Sequence, residues 1–251
     1  MNRPDGEEAA AVTDASGGVF PRAAAGLPDG ATVLLAGVVG SHAYGLATDQ
    51  SDVDHLGVHL APAGDLFGLA SAAATTRTYV GHDPDVAVHE VGKFCRLALA
   101  ANPTVCELLW LDSWTVMSEA GRRLVELRAA FWSERAVRNA YLGYARSQLA
   151  RVGSGPPHRR AKAARHTVRL VRSAWHVLTT GMLPVNMSGD ADDLAALGRL
   201  GQTNPAAFAD VLADEIAAVD ATGSVLPEHP DVDAVNSFLV DVRRTAYRTG
   251  R

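Results

Sequence analysis

Asp52 and Asp54, separated only by Val53, open an apolar stretch that ends at Leu60, and this pair constrains the chain more than any other feature. On a β-strand, residues i and i+2 point to one face, so both carboxylates aim at one point. Like charges so placed repel unless a cation lies between them, and oxygen donors at this density suit Mg2+ or Mn2+. Upstream, the apolar run Val33–Val39 ends in Gly40-Ser41. Glycine lets a backbone approach a ligand closely, and a turn that opens a helix offers free N–H groups to an anion. Together the two halves predict a phosphate cradle facing a metal-binding carboxylate pair, which is equipment for a nucleoside triphosphate.

The 251 residues permit one large domain or two modest ones. With 47% hydrophobic and 20% charged residues the class is soluble and globular. A formal charge of −5 argues against a globally basic nucleic-acid binder and leaves local basic patches open. Cys95 and Cys106 lack C-x-x-C spacing, so neither a zinc site nor a disulfide framework follows, and a reducing compartment fits. No run reaches the length of a membrane span, and the acidic start MNRPDGEEAAAV lacks the apolar core of a signal peptide. The expected location is the cytoplasm, with no membrane partner.

Patterning divides the chain. Residues 1–30 are rich in Gly, Ala, Pro and Asp without periodicity, and are expected to form a flexible arm. Strands are expected at Thr32–Val39, Asp52–Leu60, Thr75–Val80 and Asp85–His89, with a helical turn at Asp65–Leu69. A helix follows over Glu90–Ala101, stopped by Asn102-Pro103, and Thr104 is a candidate cap for the next. Beyond Ser118 only helical periodicity remains: Ser118–Phe131, Ser133–Arg151, His158–Thr180, Asp192–Leu200, Pro205–Val219 and Asp231–Arg244. The expected class is α+β: a mixed sheet with flanking helices over 31–115, and a helical bundle over 116–251 that lines the cleft.

Gly40-Ser41 followed by Asp52-Val53-Asp54 resembles the signature of the DNA polymerase β-type nucleotidyltransferase superfamily. More narrowly, GSHAYGLATDQSDVDHLGV with HEVGKFCRLALAANPTVCELLW resembles a bacterial branch of predicted nucleotidyltransferases, some of them associated with RNA ligases. The likeness is strong over residues 33–112. It implies that Gly40 and Ser41 hold the β- and γ-phosphates of an NTP. It further implies that Asp52 and Asp54 bind two metal ions, Mg2+ or Mn2+. A third carboxylate shares the second ion and helps to deprotonate an attacking hydroxyl, and pyrophosphate leaves. Paired cations suit this chemistry because charge builds on both the attacking and the leaving oxygen.

Asp85 and Glu90 bracket the fourth strand and are the candidates for that third acid. The aspartate pair shares parity with Leu56, Val58 and Leu60, and Glu90 shares parity with Val86 and Val88. Matching the two apolar sets favours Glu90 as catalytic acid and metal ligand. The alternative for Glu90 is an anion in the first turn of the next helix, where the dipole favours it. The family more often carries an aspartate here, and His55-Leu56 stands where an apolar residue and an arginine are common.

In the helical half, HRRAKAARHTVRLVRSAWHVL carries Lys162, Arg165, His166, Arg169, Arg172 and His176 on one face. Ala164, Val168, Val171, Trp175 and Leu178 form the opposite, apolar stripe. Enzymes resembling this one carry Lys-x-x-x-His-x-x-Arg on such a helix. Lys162, His166 and Arg169 match it, and the resemblance implies that Lys162 and Arg169 contact phosphate. The expected acceptor is a hydroxyl, first an RNA 3′ end. Nucleotidylation of a small molecule or a protein, or a non-catalytic nucleotide-binding module, are the alternatives.

Overall fold

The computed structural model describes residues 20–21, 25–69, 77–82 and 85–249. In chain order the first half gives β1 (Thr32–Val39), α1 (Gly40–Ala43), β2 (Asp54–Leu60), α2 (Ala63–Phe67), β3 (Thr78–His82), β4 (Asp85–Glu90), α3 (Val91–Leu99) and α4 (Pro103–Glu107). A short strand β5 (Val116–Met117) follows. Then come α5 (Glu119–Glu126), α6 (Glu134–Val137), α7 (Gly143–Ser154), α8 (Pro157–Thr180), α9 (Ala191–Thr203), α10 (Pro205–Ala221) and α11 (Val232–Thr249). The class is α+β, as the periodicity predicts.

Among the described residues five strands form one mixed sheet in the order β3-β4-β2-β1-β5. Only β2 and β4 run parallel; β1 pairs antiparallel with β2 and with β5, and β3 antiparallel with β4. The β5 residues lie past position 115 and still extend the sheet. Both faces of the sheet are covered. Leu35, Val39, Leu56, Val58 and Leu60 join the main core with Phe94, Leu108 and Leu124. Val86, Val88 and Ala36 pack on a smaller cluster with Phe20, Ala25 and Val116. Gly57 marks how tight that second face is: a Cβ there would stand 3.1 Å from Phe20 Cζ and 3.3 Å from Val88 Cγ1.

Phe20 and Ala25, from the expected flexible arm, are therefore buried pieces of the fold, while residues 1–19 and 22–24 of that arm lie outside the described residues. The start of the expected third strand, Thr75 and Thr76, also lies outside them. Asn102, and not Thr104, caps α4: its Oδ1 accepts from Val105 N at 3.2 Å, with Pro103 in the first turn. The single helix expected over Ser133–Arg151 is interrupted by a π-helical turn at Arg138–Leu142. Arg138 turns inward there and donates to the carbonyls of Val219 and Thr222, both at 2.7 Å, tying off the end of α10.

One continuous core joins the two halves. It runs from Leu34 through the buried stripe of α8 to Ala246 of α11, which returns to pack against α3 and α5. On α8, Ala164, Val168, Val171 and Leu178 are buried as the periodicity predicts, but Trp175 is 44% exposed. Glycines bring α9 against α8: a Cβ on Gly201 would overlap that of Ala164. Both cysteines are buried and unpaired as disulfides. Among the described residues no helix is long and apolar enough to cross a membrane.

Gly201→Val drives a branched side chain into Ala164 and is expected to lower stability by about 1–3 kcal/mol, measured as a drop in the denaturation midpoint. A variant as stable as the parent would mean that the two helices are not in such close contact.

Candidate active site

At the end of β1 the chain turns sharply. Gly40 has φ +70°, in the left-handed region that side chains rarely adopt. Its missing side chain matters equally, because a Cβ on Gly40 would overlap the Asp54 carboxylate. Asp54 pairs across the sheet with Val39, so the first carboxylate of β2 lies directly against the Gly40-Ser41 turn. Ser41 O accepts from Leu46 N at 3.0 Å and Gly40 O accepts from Tyr44 N at 3.0 Å, closing the turn on itself. Asp52 precedes β2 and is exposed. It follows a small hydrogen-bonded turn in which Ser51 Oγ accepts from Thr48 N at 2.9 Å and Ser51 N donates back to Thr48 O at 2.9 Å.

The third acid beside this pair is Asp85. In the parallel register His55 pairs with Val86, so the residues one step earlier on each strand are Asp54 and Asp85. Asp54 has its pKa raised, first by partial burial and then by the Asp85 charge; Lys162 and His42 pull it down and Asp52 adds to the rise. The charges of Asp85 and Asp52 thus both act on the Asp54 carboxylate, which lies against the bare Gly40 backbone. Mutual repulsion of this kind is what a divalent cation relieves, and the all-oxygen donor set suits Mg2+ or Mn2+. Among the described residues no three His, Cys, Asp or Glu side chains are drawn close enough to hold an ion as they stand.

Glu90, the acid favoured by sequence, does not belong to this group. It sits at the far end of β4, fully buried, and its Oε2 caps α3 by accepting from Gly92 N at 2.7 Å and Lys93 N at 3.3 Å. Its Oε1 accepts from Arg243 Nη2 of α11 at 3.0 Å. The parity match fails because the two apolar sets serve opposite faces: Leu56 and Val58 pack on the main core, Val86 and Val88 on the smaller cluster. Partners in a parallel register share a face, which puts Asp85, not Glu90, on the face of Asp54.

The three α8 residues separate as well. Lys162 is exposed, and its charge acts on Asp54. Arg169 does not face the cleft: it is 5% exposed, and its Nη1 donates to Glu107 Oε1 at 2.6 Å. Glu107 Oε2 accepts from Tyr44 Oη at 2.6 Å, and the Arg169 guanidinium lies 3.8 Å from the Tyr44 ring centroid. Burial opposes the Arg169 charge, but Glu107 and Tyr44 outweigh it and hold the pKa above its ordinary value. The Tyr44 hydroxyl is pushed far up, by burial first and then by Glu107, and so stays protonated as a donor. This buried network joins the residue that ends the Gly40-Ser41 turn to α4 and α8. Sequence reading missed Tyr44 and Glu107, although both lie inside the quoted motifs; nothing in their spacing reveals that Arg169 lies between them.

His166 belongs to the same network. Its Nδ1 lies 3.2 Å from Arg169 Nη2, which donates to it, and its ring meets Tyr144 edge-on at 5.3 Å. Burial, then Arg169 and Lys162, lower its pKa to about 4, so the ring is neutral and its Nδ1 accepts from Arg169. Tyr141 is buried in the core.

The family model described as the RNA repair pathway DNA polymerase beta family matches residues 22–241 of the chain. No curated protein matches it.

Glu90→Ala removes a helix cap and leaves the Arg243 guanidinium without its partner, so the expected loss is about 2–3 kcal/mol of stability, read by chemical denaturation; an unchanged midpoint would show that Glu90 has no structural role. For His166 the fold favours the neutral ring, so its stabilisation is whole above its ordinary pKa of 6.5 and is lost as pH falls from there to about 4. His166→Gln is expected to flatten the stability curve over that interval; a slope unchanged by the substitution would contradict a buried neutral imidazole.

Proposed function

The chain belongs to the RNA repair pathway DNA polymerase beta family, and on that premise we propose that it transfers a nucleotidyl group from an NTP to a hydroxyl acceptor, first an RNA 3′ end. The observation that carries this reading is the contact between Gly40 and the Asp54 carboxylate, which puts a bare backbone turn and an acid side by side. The turn is the binding place for the polyphosphate: its backbone N–H groups and the Ser41 hydroxyl donate to phosphate oxygens, and no side chain on Gly40 keeps them away. Lys162 supplies positive charge on the opposite wall. Asp52, Asp54 and Asp85 are the residues that would hold Mg2+ or Mn2+. Such ions neutralise charge on the reacting phosphate and on the oxygens that attack and leave.

The acceptor hydroxyl is oriented against the α-phosphorus and gives its proton to the Asp85 carboxylate. Its oxygen forms the new bond to that phosphorus, the bond to the bridging oxygen of the β-phosphate breaks, and pyrophosphate leaves. The buried Glu107–Arg169–Tyr44 network keeps the turn and α8 in fixed relation, so that Lys162 stays opposite the acids. Orientation of this kind accounts for a large share of such rate enhancements. A non-catalytic module would draw support from a glutamate, Glu90, in place of the third aspartate; Asp85 beside Asp54 favours the catalytic reading.

The test is incubation with each labelled NTP, Mg2+ or Mn2+, and either total RNA or a metabolite pool. Label is expected to appear in RNA with release of pyrophosphate; label in the metabolite pool alone would replace the acceptor class. Asp54→Ala and Asp85→Asn are each expected to cut turnover at least about a hundredfold, whereas Glu90→Gln, if folded, retains it. Full activity in Asp54→Ala, or loss confined to Glu90→Gln, would refute the assignment.

A further inference from the structure

A groove of about 410 Å3 opens beside the second half of α8, between that helix and the segment leading into α9. Its walls include Arg172, Trp175, His176, Asn186, Met187 and Asp190. None of these takes part in the site around Asp54. The groove has an aromatic wall, and its charged members are Arg172 and Asp190. The Trp175 indole is 44% exposed on a helix face that otherwise buries its apolar residues, and the His176 ring stands nearly perpendicular to it, 85° at 5.2 Å between centroids. Arg172, the cation in the wall, is held by Asp193 at 2.6 Å and Glu215 at 3.0 Å. With that charge neutralised and Asp190 nearby, the groove is a poor phosphate site and a good one for a flat, uncharged ring. Asn186 Oδ1 accepts from Ser188 N at 2.9 Å, which leaves the amide NH2 end to donate.

The groove is tied to the Gly40 turn. Met187 N donates to Tyr44 O at 2.9 Å, and a Cβ on Gly45 would come within 3.0 Å of Asn186 Oδ1. The loop from Gly40 to Gly45 therefore has Asp54 at one end and the groove at the other. Along α8, Lys162 and Trp175 are about 20 Å apart from the helical rise. Ligand contacts at both ends of that span fit a strand better than a single nucleotide. We infer that the groove binds an unpaired base of the RNA acceptor strand, stacked on Trp175 and met by the Asn186 amide, at a distance from the reacting 3′ end. Stacking on an exposed aromatic is the general way in which single strands are held, and it tolerates any base. The inference rests on the reading of the acceptor as RNA.

The test measures binding apart from catalysis. A short labelled single-stranded oligoribonucleotide is titrated with the full chain at fixed salt and followed by fluorescence anisotropy. Trp175→Ala is expected to weaken binding about five- to a hundredfold, Trp175→Phe to keep most of it, and His176→Ala to give a smaller loss in the same direction. Heat-stabilisation by NTP with Mg2+ is expected to be the same in all of them, and duplex RNA to show no dependence on Trp175. Equal RNA binding by Trp175→Ala and the parent would overturn the groove, as would an equal loss of NTP stabilisation. If RNA binding depends on Trp175 while no label is transferred to RNA, the groove stands and the proposed reaction falls. If label is transferred and Trp175 is immaterial, the reverse holds.

Discussion

The overlap that a Cβ on Gly40 would make with the Asp54 carboxylate is the contact on which the site depends. It requires glycine twice over, once for the space and once for the φ of +70°. It follows from the sheet: β1 and β2 are antiparallel neighbours, so the end of one meets the beginning of the other, and Val39 faces Asp54. Apolar burial on both faces of the sheet fixes this register, since a slip by one residue would turn Leu56 and Val58 out of the main core. The parallel pairing of β2 with β4 then adds Asp85 at the same edge. Hydrophobic packing thus gathers acids that repel one another, a cost that core burial covers and that a bound cation would reverse.

The second structural theme is the way the helical half holds the turn in place. Glu107 from α4, Arg169 from α8 and Tyr44 after the turn form a buried ion pair with a shared hydroxyl donor. Such a pair contributes little net stability compared with well-packed apolar residues, but breaking it on one side is costly. Its consequence here is geometric, because it joins α4, α8 and the residue that follows the Gly40-Ser41 turn. The Glu90–Arg243 pair serves the other end of the sheet in the same fashion, bringing α11 back onto the start of α3. The two candidate acids, Glu90 and Asp85, therefore stand at opposite ends of one strand, one holding the fold and the other beside Asp54.

What was legible in the sequence was local. The β1 boundaries, the Gly40-Ser41 turn and the entry of Asp54 into β2 follow from apolar runs broken by small residues, whereas Asp52, expected on the same strand, lies in the loop before it. The helices after Ser118 follow from their period. What was not legible depended on partners distant in the chain. Parity alone cannot say that Val86 and Val88 pack on a different face from Leu56 and Val58, because that is decided by Phe20 and Ala25 covering the second face. An amphipathic pattern on α8 likewise cannot say that Arg169 turns inward, because its partner Glu107 lies 62 residues away. Trp175 sits in the apolar stripe by spacing, yet the neighbouring segment leaves a groove there instead of covering it.

The most direct measurement of the central claim is a calorimetric titration of a non-hydrolysable nucleoside triphosphate into the parent chain and into Gly40→Ala, with and without Mn2+. If the turn and the Asp54 edge form one site for polyphosphate and cation, the parent binds the nucleotide in a metal-dependent manner and Gly40→Ala, still folded, loses that binding. Nucleotide binding that is indifferent to Mn2+, or that survives in Gly40→Ala unchanged, would contradict it.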